Sequence, residues 1–487
     1  MQTYEPTWAS LEEHQIPAWL HDAPFGVYFH WGPYSVPAYQ NEWYSRNMYR
    51  EGSDQHDHHV SEYGELSDFG YKDFVPEFTA ENWDPEEWAR LCDENGADFV
   101  GIAAIHADGF ALWDSELTRW NAANMGPERD VVGELADAVR ARDLKFLTSF
   151  HHDFHWWWYA REEGWDTADP AYADLYGPAH DPETPPPESY FADWRDKVIE
   201  VIDGYRPDVV YFDSAIGNDW FVRHHEYLRE VLAHYYNKGE EWGKPVEFTA
   251  KTNVPPGVGM VDHERTRADE VRQRPWLTDT SVDESSWCYV QDPDYKDAAT
   301  IVRGLVDRVS KHGRLLLNLG PKPDGTFDRG SLELLDAVGD WLDVNGEALR
   351  AARPWWTYGE GPTEVSGGER EAASRVEYTP EDVRYTRVGQ TLYAVLLGWP
   401  EEPVRLETPV GRRESAHAGE WQIGPEPDAW PDDDYTVSLL GSDADVEWRR
   451  VDGGDALEVD LPAEPPCEHA YALRIEVERV NHHPGES

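Results

Sequence analysis

A chain of 487 residues has room for one large domain of roughly 250–350 residues and a smaller companion. Hydrophobic residues at 40% and aromatics at 13% supply ample apolar surface to bury, which excludes a disordered chain. The formal net charge of −54 is spread along the whole length, which argues against nucleic acid or an anionic membrane surface as partner, since both call for basic patches.

Taken in chain order, FGVYFHWG (25–32) reads as a buried strand. WDPEEWARLCDENG follows with an acidic first turn and a terminal Gly96, the marks of a helix. FVGIAAIH (99–106) is the next strand, and DVVGELADAVRARD places Val131, Leu135 and Val139 on one helical face before the strand LKFLTSFHH. SYFADWRDKVIEVIDGY leads into DVVYFDSA, and a helix around 221–236 leads into VEFTAKTN. WLTDTSV, the helix AATIVRGLVDRVSKHG, the strand RLLLNLGP and the helix SLELLDAVGDWLDVNGEAL close the series. This alternation with β-branched strands predicts a (β/α)8-like TIM barrel over residues 1–355. RPWWTYGEGPTEV reads as a linker, and the short alternating runs beyond it predict an antiparallel β-sandwich over 356–487 with a frayed tail, NHHPGES.

Only nine of the 42 basic residues are lysines. A surface this acidic repels itself at low salt and is relieved when molar salt shortens the Debye length to about 3 Å, which points to a salt-rich interior. Cys92, Cys288 and Cys467 give neither a disulfide framework nor a metal-knuckle spacing. The opening residues show no leader pattern, and no apolar run reaches membrane-spanning length, so a cytoplasmic protein is expected. A homo-oligomer stays open.

In a barrel of this kind the reacting groups sit at the C-terminal ends of the strands. Those ends carry His30, His106, His151 with His152, Asp213, Lys251 and Glu264. Asp213 stands out because it ends the apolar run Val209–Val210–Tyr211–Phe212, putting a carboxylate at the rim beside aromatics. The alternative, a helix N-cap, is disfavoured by the loop-like Ser214–Asn218 that follows. His56, His58 and His59 in DQHDHHVSEYG lie too close in sequence to form a facing helical pair, so no metal is expected there, nor any cofactor. The run Trp156–Trp157–Trp158–Tyr159 fits either sugar stacking or a core edge.

AWLHDAPFGVYFHWGPYSVPAYQNEWYSRNMY resembles the amino-terminal signature of the α-L-fucosidase family of glycoside hydrolases. YKDFVPEFTAENWDPEEWARLCDENGADFV, HADGFALWDS, RPDVVYFDSA, PWLTDTSVDESSWCYV and LVDRVSKHGRLLLNLGPKPDGTFD resemble it in the same order, over nearly all of residues 8–350. The resemblance implies hydrolysis of terminal α-L-fucosides with retention, without a metal, on a fucosylated oligosaccharide or glycoside. It implies Asp213 as nucleophile and, counting back from the Pro-Trp of PWLTDTS, Glu264 as acid/base, with Asp279 and Glu284 as alternatives. Asp262, Asp269 and Glu270 are further acids nearby, and in so acidic a chain most of these read as surface charge. Sugar contacts implied are His30, Glu42, Trp43, His106 and Trp287, the last against the C5 methyl; Tyr211, His151 and Lys251 join them as rim candidates.

Three departures from the family stand out. The second His of its HHDGF motif is Ala107, the usual basic residue before the pair is Ile105, and its usual arginine is replaced by Lys251. His151 or His152 is placed to supply the missing ring. Two other readings belong to the same fold: a hydrolase for another 6-deoxy or galacto-configured glycoside, and a fucose-binding relic without catalysis. A double-displacement mechanism requires the two carboxyl groups to stand about 5–5.5 Å apart.

Overall fold

The computed structural model describes residues 2–213, 219–251, 254–365, 376–407, 434–452 and 456–478. Its first eight strands are β1 (Phe25–Phe29), β2 (Phe99–Ile105), β3 (Lys145–Phe150), β4 (Val209–Phe212), β5 (Glu247–Ala250), β6 (Met260–Asp262), β7 (Trp276–Ser281) and β8 (Gly313–Leu319). They pair in sequence order, all parallel, and β8 returns to β1 to close the barrel. Because side chains alternate along a strand, each strand feeds two cores. Tyr28, Leu147, Val209, Tyr211, Met260, Leu277 and Leu316 fill the inside. Ile102, Phe146, Val210, Phe248 and Leu317 face the helices outside. Gly26 makes room for this filling, since a Cβ there would stand 2.3 Å from the Phe99 ring.

The helices that matter here are α1 (Asp54–Glu62), α2 (Pro85–Glu94), α3 (Val131–Arg140), α4 (Glu188–Tyr205), α5 (His225–Trp242), α6 (Ala298–Ser310) and α7 (Arg329–Asn345). Asp84 caps α2, Asp130 α3, Asp297 α6 and Asp328 α7, each accepting from first-turn backbone N–H groups. The expected alternation is incomplete. Among the described residues no helix lies between β5 and β6 or between β6 and β7. The strand β6 is three residues long and carries no hydrophobic run of its own, so the sequence reading had seven strands and a loop in its place.

Beyond α7 come β9 (Arg353–Glu360), β10 (Val383–Val388), β11 (Thr391–Leu396), β12 (Val404–Leu406), β13 (Asp434–Leu439), β14 (Glu447–Val451), β15 (Ala456–Asp460) and β16 (Tyr471–Glu478). They form a five-stranded sheet, order β13-β16-β11-β10-β9, and a three-stranded one, β12-β15-β14, around Tyr385, Leu396, Leu406, Leu457 and Leu473. The segment read as a linker is therefore largely strand: β9 pairs antiparallel with β10, and the expected boundary at 355/356 falls inside it. The tail NHHPGES lies outside the described residues. The two parts are tied by Arg384 of β10, whose Nε donates to Asp307 of α6 at 2.7 Å, and by Trp341 of α7, which donates to the Ala470 carbonyl at 2.8 Å.

Candidate active site

Strand parity builds the mouth of the barrel. Tyr28 and His30, Ser149 and His151, Tyr211 and Asp213, Thr249 and Lys251, Asp262 and Glu264 are successive inward positions on their strands, lower member first. His106 reaches the same ring by a different route. Ala103 pairs with Ser149 and Ile105 with Phe150, so β2 holds one extra residue, and this β-bulge turns His106 inward beside His151. The two rings stack with centroids 4.7 Å apart.

At the centre, the Lys251 ammonium donates to Asp213 and lies 2.8 Å from Glu264 Oε2. Two oxygens that share one ammonium partner are no more than about 6 Å apart, twice a hydrogen-bond length. The side chains of Asp213 and Glu264 are 18% and 11% exposed, open enough to meet a ligand. Burial works to raise the Asp213 pKa, but the Lys251 charge and hydrogen bond outweigh it, and the carboxyl is held below its ordinary value.

Three imidazoles face this pair. His30 Nδ1 lies 2.8 Å from Asn318 Oδ1, while the Asn318 amide nitrogen donates to the Trp287 carbonyl and to Ser281 Oγ. That network assigns the proton to Nδ1 and leaves Nε2, 3.2 Å from His151 Nε2, facing the cavity. His151 Nε2 is also 3.8 Å from Asp213. Burial lowers the His30 pKa to about 4 and those of His106 and His151 well below the ordinary value, so all three are neutral donors or acceptors near pH 7. The ligand atoms of His30, His106 and His151 lie within 4.8 Å of one another, the spacing of a transition-metal trio as well as of sugar hydroxyl partners.

The remaining wall comes from the loop after β7. Trp287 packs against His30 with centroids 5.4 Å apart, and its backbone N–H donates to Glu42 at 3.0 Å. Burial lifts Glu42 to a pKa of about 7. Trp43 lies at the outer lip, 38% exposed, against Trp158.

Several expectations change. Tyr211 is fully buried, and its hydroxyl donates to Asp279 at 3.1 Å, so it supports the floor and has no face toward a ligand. Asp262, grouped with acids most of which read as surface charge, and Asp279, an alternative acid/base, are likewise buried, because Tyr28 and Tyr211 donate to them and the Asp279 N–H donates to Asp262. Burial, then their mutual repulsion, raises Asp262 well above the carboxylate range; burial raises Asp279 as well. Glu284 turns toward Lys296, 3.7 Å away. Of the two histidines ending β3, His151 enters the site while His152 stacks outside on Trp194. Asn318, which orients His30, escaped the sequence reading because an asparagine inside RLLLNLGP carries no signal of its own. Ser214–Asn218 lie outside the described residues.

The other candidates resolve into structure. His56 bonds the Met48 carbonyl, His58 stacks on Tyr39, and His59 bonds the Phe69 carbonyl, so this trio is held by three different partners. In the aromatic run, Trp156 stacks on His180 and donates to Thr184, Trp158 donates to Ser45 and backs His106, and Tyr159 bonds the Asp108 carbonyl.

A closed parallel barrel whose mouth gathers two juxtaposed carboxylates, neutral imidazoles and an indole wall defines a glycoside hydrolase. The profile of the family described as Alpha-L-fucosidase matches residues 1–347, and that of the Alpha-L-fucosidase C-terminal domain matches residues 377–476. The chain belongs to the α-L-fucosidase family and hydrolyses α-L-fucosides. It is 29% identical to the tissue alpha-L-fucosidase of Bos taurus, over 97% of this chain and 91% of that one. It is 30% identical to the plasma alpha-L-fucosidase of Homo sapiens, over 97% and 92%. The crystal structure of Thermotoga maritima alpha-fucosidase in complex with fucose superposes with a TM-score of 0.74 at 27% identity, covering 97% of this chain and 99% of that chain.

Proposed function

We propose that Asp213 is the nucleophile and Glu264 the acid/base of a retaining double displacement on a terminal α-L-fucoside. Asp213 attacks the anomeric carbon as Glu264 gives its proton to the leaving oxygen. Water then cleaves the fucosyl ester, with Glu264 taking the proton back. The observation that carries this reading is the single Lys251 ammonium in contact with both acids. Asp279 and Glu284 are weaker candidates, one bonded under the floor and the other turned to Lys296. His30, His106, His151 and Glu42 are the partners for sugar hydroxyls, Trp43 walls the lip, and Trp287 is the surface for the C5 methyl. Lys251 keeps Asp213 ionised, and no metal enters the scheme.

A cytoplasmic, salt-rich setting is supported by the charge and by three cysteines that are all free. No helix among the described residues is long and apolar enough to cross a membrane. The overall acidity disfavours nucleic acid as a partner, and a homo-oligomer is compatible with it.

The test is Asp213→Ala with an aryl α-L-fucoside in high salt. Activity should fall on the order of 10^3-fold or more, and azide should restore turnover with a β-fucosyl azide as product. Undiminished hydrolysis in that variant would remove Asp213 from the mechanism.

A further inference from the structure

Outside the barrel wall, behind the catalytic mouth, lies a cavity of about 20 Å³ between β7, β8 and α6. Four cationic side chains line it: Arg265 and Arg267 from the segment after β6, Lys296 before α6, and Arg308 on α6, together with Thr280 and Thr300. No acid lines it, in a chain with 96 acids and 42 bases. Arg267, Lys296 and Arg308 are 3%, 6% and 5% exposed.

The cations meet mostly neutral oxygens. Lys296 donates to the Ser281 and Asp283 carbonyls at 2.6 and 3.1 Å, Arg308 to the Thr266 carbonyl at 3.3 Å, Arg267 to the Tyr378 hydroxyl at 2.6 Å, and Arg265 to the Glu284 carbonyl. The Nε atoms of Arg265, Arg267 and Arg308 are buried with no hydrogen-bond partner. Two acids are near. Glu284 stands 3.7 Å from Lys296, and Asp307 is already bound by Lys311 at 3.0 Å and Arg384 at 2.7 Å. Burial, then Arg267, lowers Arg308 to a pKa of about 9, and burial, then Arg265, lowers Lys296 to about 8. Like charges this close in a low-dielectric setting repel unless an anion joins them.

We propose that this cavity is a binding site for one small inorganic anion, chloride foremost, which offsets part of the charge of the four cations and braces the segment that carries Glu264. The size suits it: about 10–15 Å³ holds a water, so a monatomic ion fits. The chemistry suits it as well, since buried N–H donors on guanidinium groups are what a halide lacks when it leaves water. The link to catalysis runs through Arg265. It follows Glu264 directly, holds a left-handed backbone with φ of 52°, and donates its backbone N–H to the Asp279 carbonyl at 2.9 Å. An anion drawing on the Arg265 side chain therefore helps to hold a strained turn beside Glu264. The site itself stands whether or not Asp213 and Glu264 have the roles given above; only its effect on rate draws on that reading.

The whole enzyme tests it. Crystals kept in potassium bromide should show an anomalous bromide peak between Arg267, Lys296 and Arg308. Replacing gluconate by chloride at constant ionic strength should raise Tm along a saturable curve, by about 2–5 °C at saturation. The value of kcat/KM should rise with the same midpoint, and Arg308→Gln should lose the saturable response while keeping any linear salt trend. A bromide-free cavity together with a flat or strictly linear Tm response of the unaltered enzyme would overturn the site. A saturable Tm with unchanged kcat/KM would overturn the coupling to the Glu264 segment.

Discussion

The ammonium of Lys251 touches Asp213 and Glu264 from above a floor that holds two more carboxyl groups, Asp262 and Asp279. The ionised Asp213 carboxylate thus depends on one flexible cation, at a place where the resemblance to the family implies an arginine. Lysine offers a point charge in place of a planar fork, and it fits a narrow gap between two carboxylates. Lys251→Met should lower kcat/KM by about 10^2–10^3-fold, the range seen when a charge-stabilising donor is removed from an active site. The pH profile carries the sign: Lys251 holds the Asp213 pKa down, so its loss moves the acidic limb of kcat/KM to higher pH. Lys251→Arg should retain the limb. A fall in rate with an unmoved acidic limb would show that Lys251 acts through something other than the charge of Asp213. At this scale His30, Asp213 and Lys251 were legible, because inward positions recur every second residue and the strand ends follow from the apolar runs. The burial of Asp262 and Asp279 was not, since it is made tolerable by the hydroxyls of Tyr28 and Tyr211, brought in from distant strands, and by the Asp279 N–H.

Among the elements, β5 shows how one strand serves both ends of the barrel. Its top places Lys251 in the site; its first residue, Glu247, is buried at the opposite end against Tyr236 and His14. Burial raises Glu247 to a pKa of about 8 and lowers His14 to about 4, so at neutral pH this pair is uncharged. A carboxyl whose folded pKa lies above its unfolded one stabilises most at low pH, and that stability is lost as pH rises from about 4.5 through about 8. Between about pH 6.5 and 8, above the range in which His14 titrates, Glu247→Gln should remove a downward slope of unfolding free energy worth on the order of a few kcal/mol. Urea titrations at pH 5, 6.5 and 8 in high salt check it, and parallel curves for both proteins would refute the assignment. Long elements were readable, as α2, α3, α6 and α7 show, while their aspartate caps are seen only in the structure. The strand β6 was not, because three residues carry no period. The strand β9 was mistaken for a connection because Pro354 and Gly359, with Gly361 and Pro362 just beyond it, mimic a turn-rich linker, while pairing with β10 decides the matter.

For the whole molecule, the charge of −54 and the placement of lysine belong together. Lys251, Lys296 and Lys311 sit buried or nearly so, where each meets an acid, and Arg267, Arg308, Arg314 and Arg384 are buried as well, which leaves fewer cations to offset the acids outside. Raising potassium gluconate or potassium chloride from about 0.1 M to above 1 M, which cuts the Debye length from about 10 to about 3 Å, should raise Tm by several degrees with either anion. An unchanged Tm would mean that self-repulsion is not what limits stability. The architecture was legible because alternation of strand and helix is a property of long stretches; the two crossovers that show no helix among the described residues were hidden because missing elements leave no mark in composition.

The bulge in β2 has a consequence for how relatives of this chain are compared. Aligned position by position, Ala107 registers as a lost imidazole. Yet the strands form a ring, and the extra residue that swings His106 toward β3 sets it against His151. A ring nitrogen that β2 does not offer at position 107 thus has a counterpart on the neighbouring stave, and the rim of this barrel carries three imidazoles drawn from three different strands.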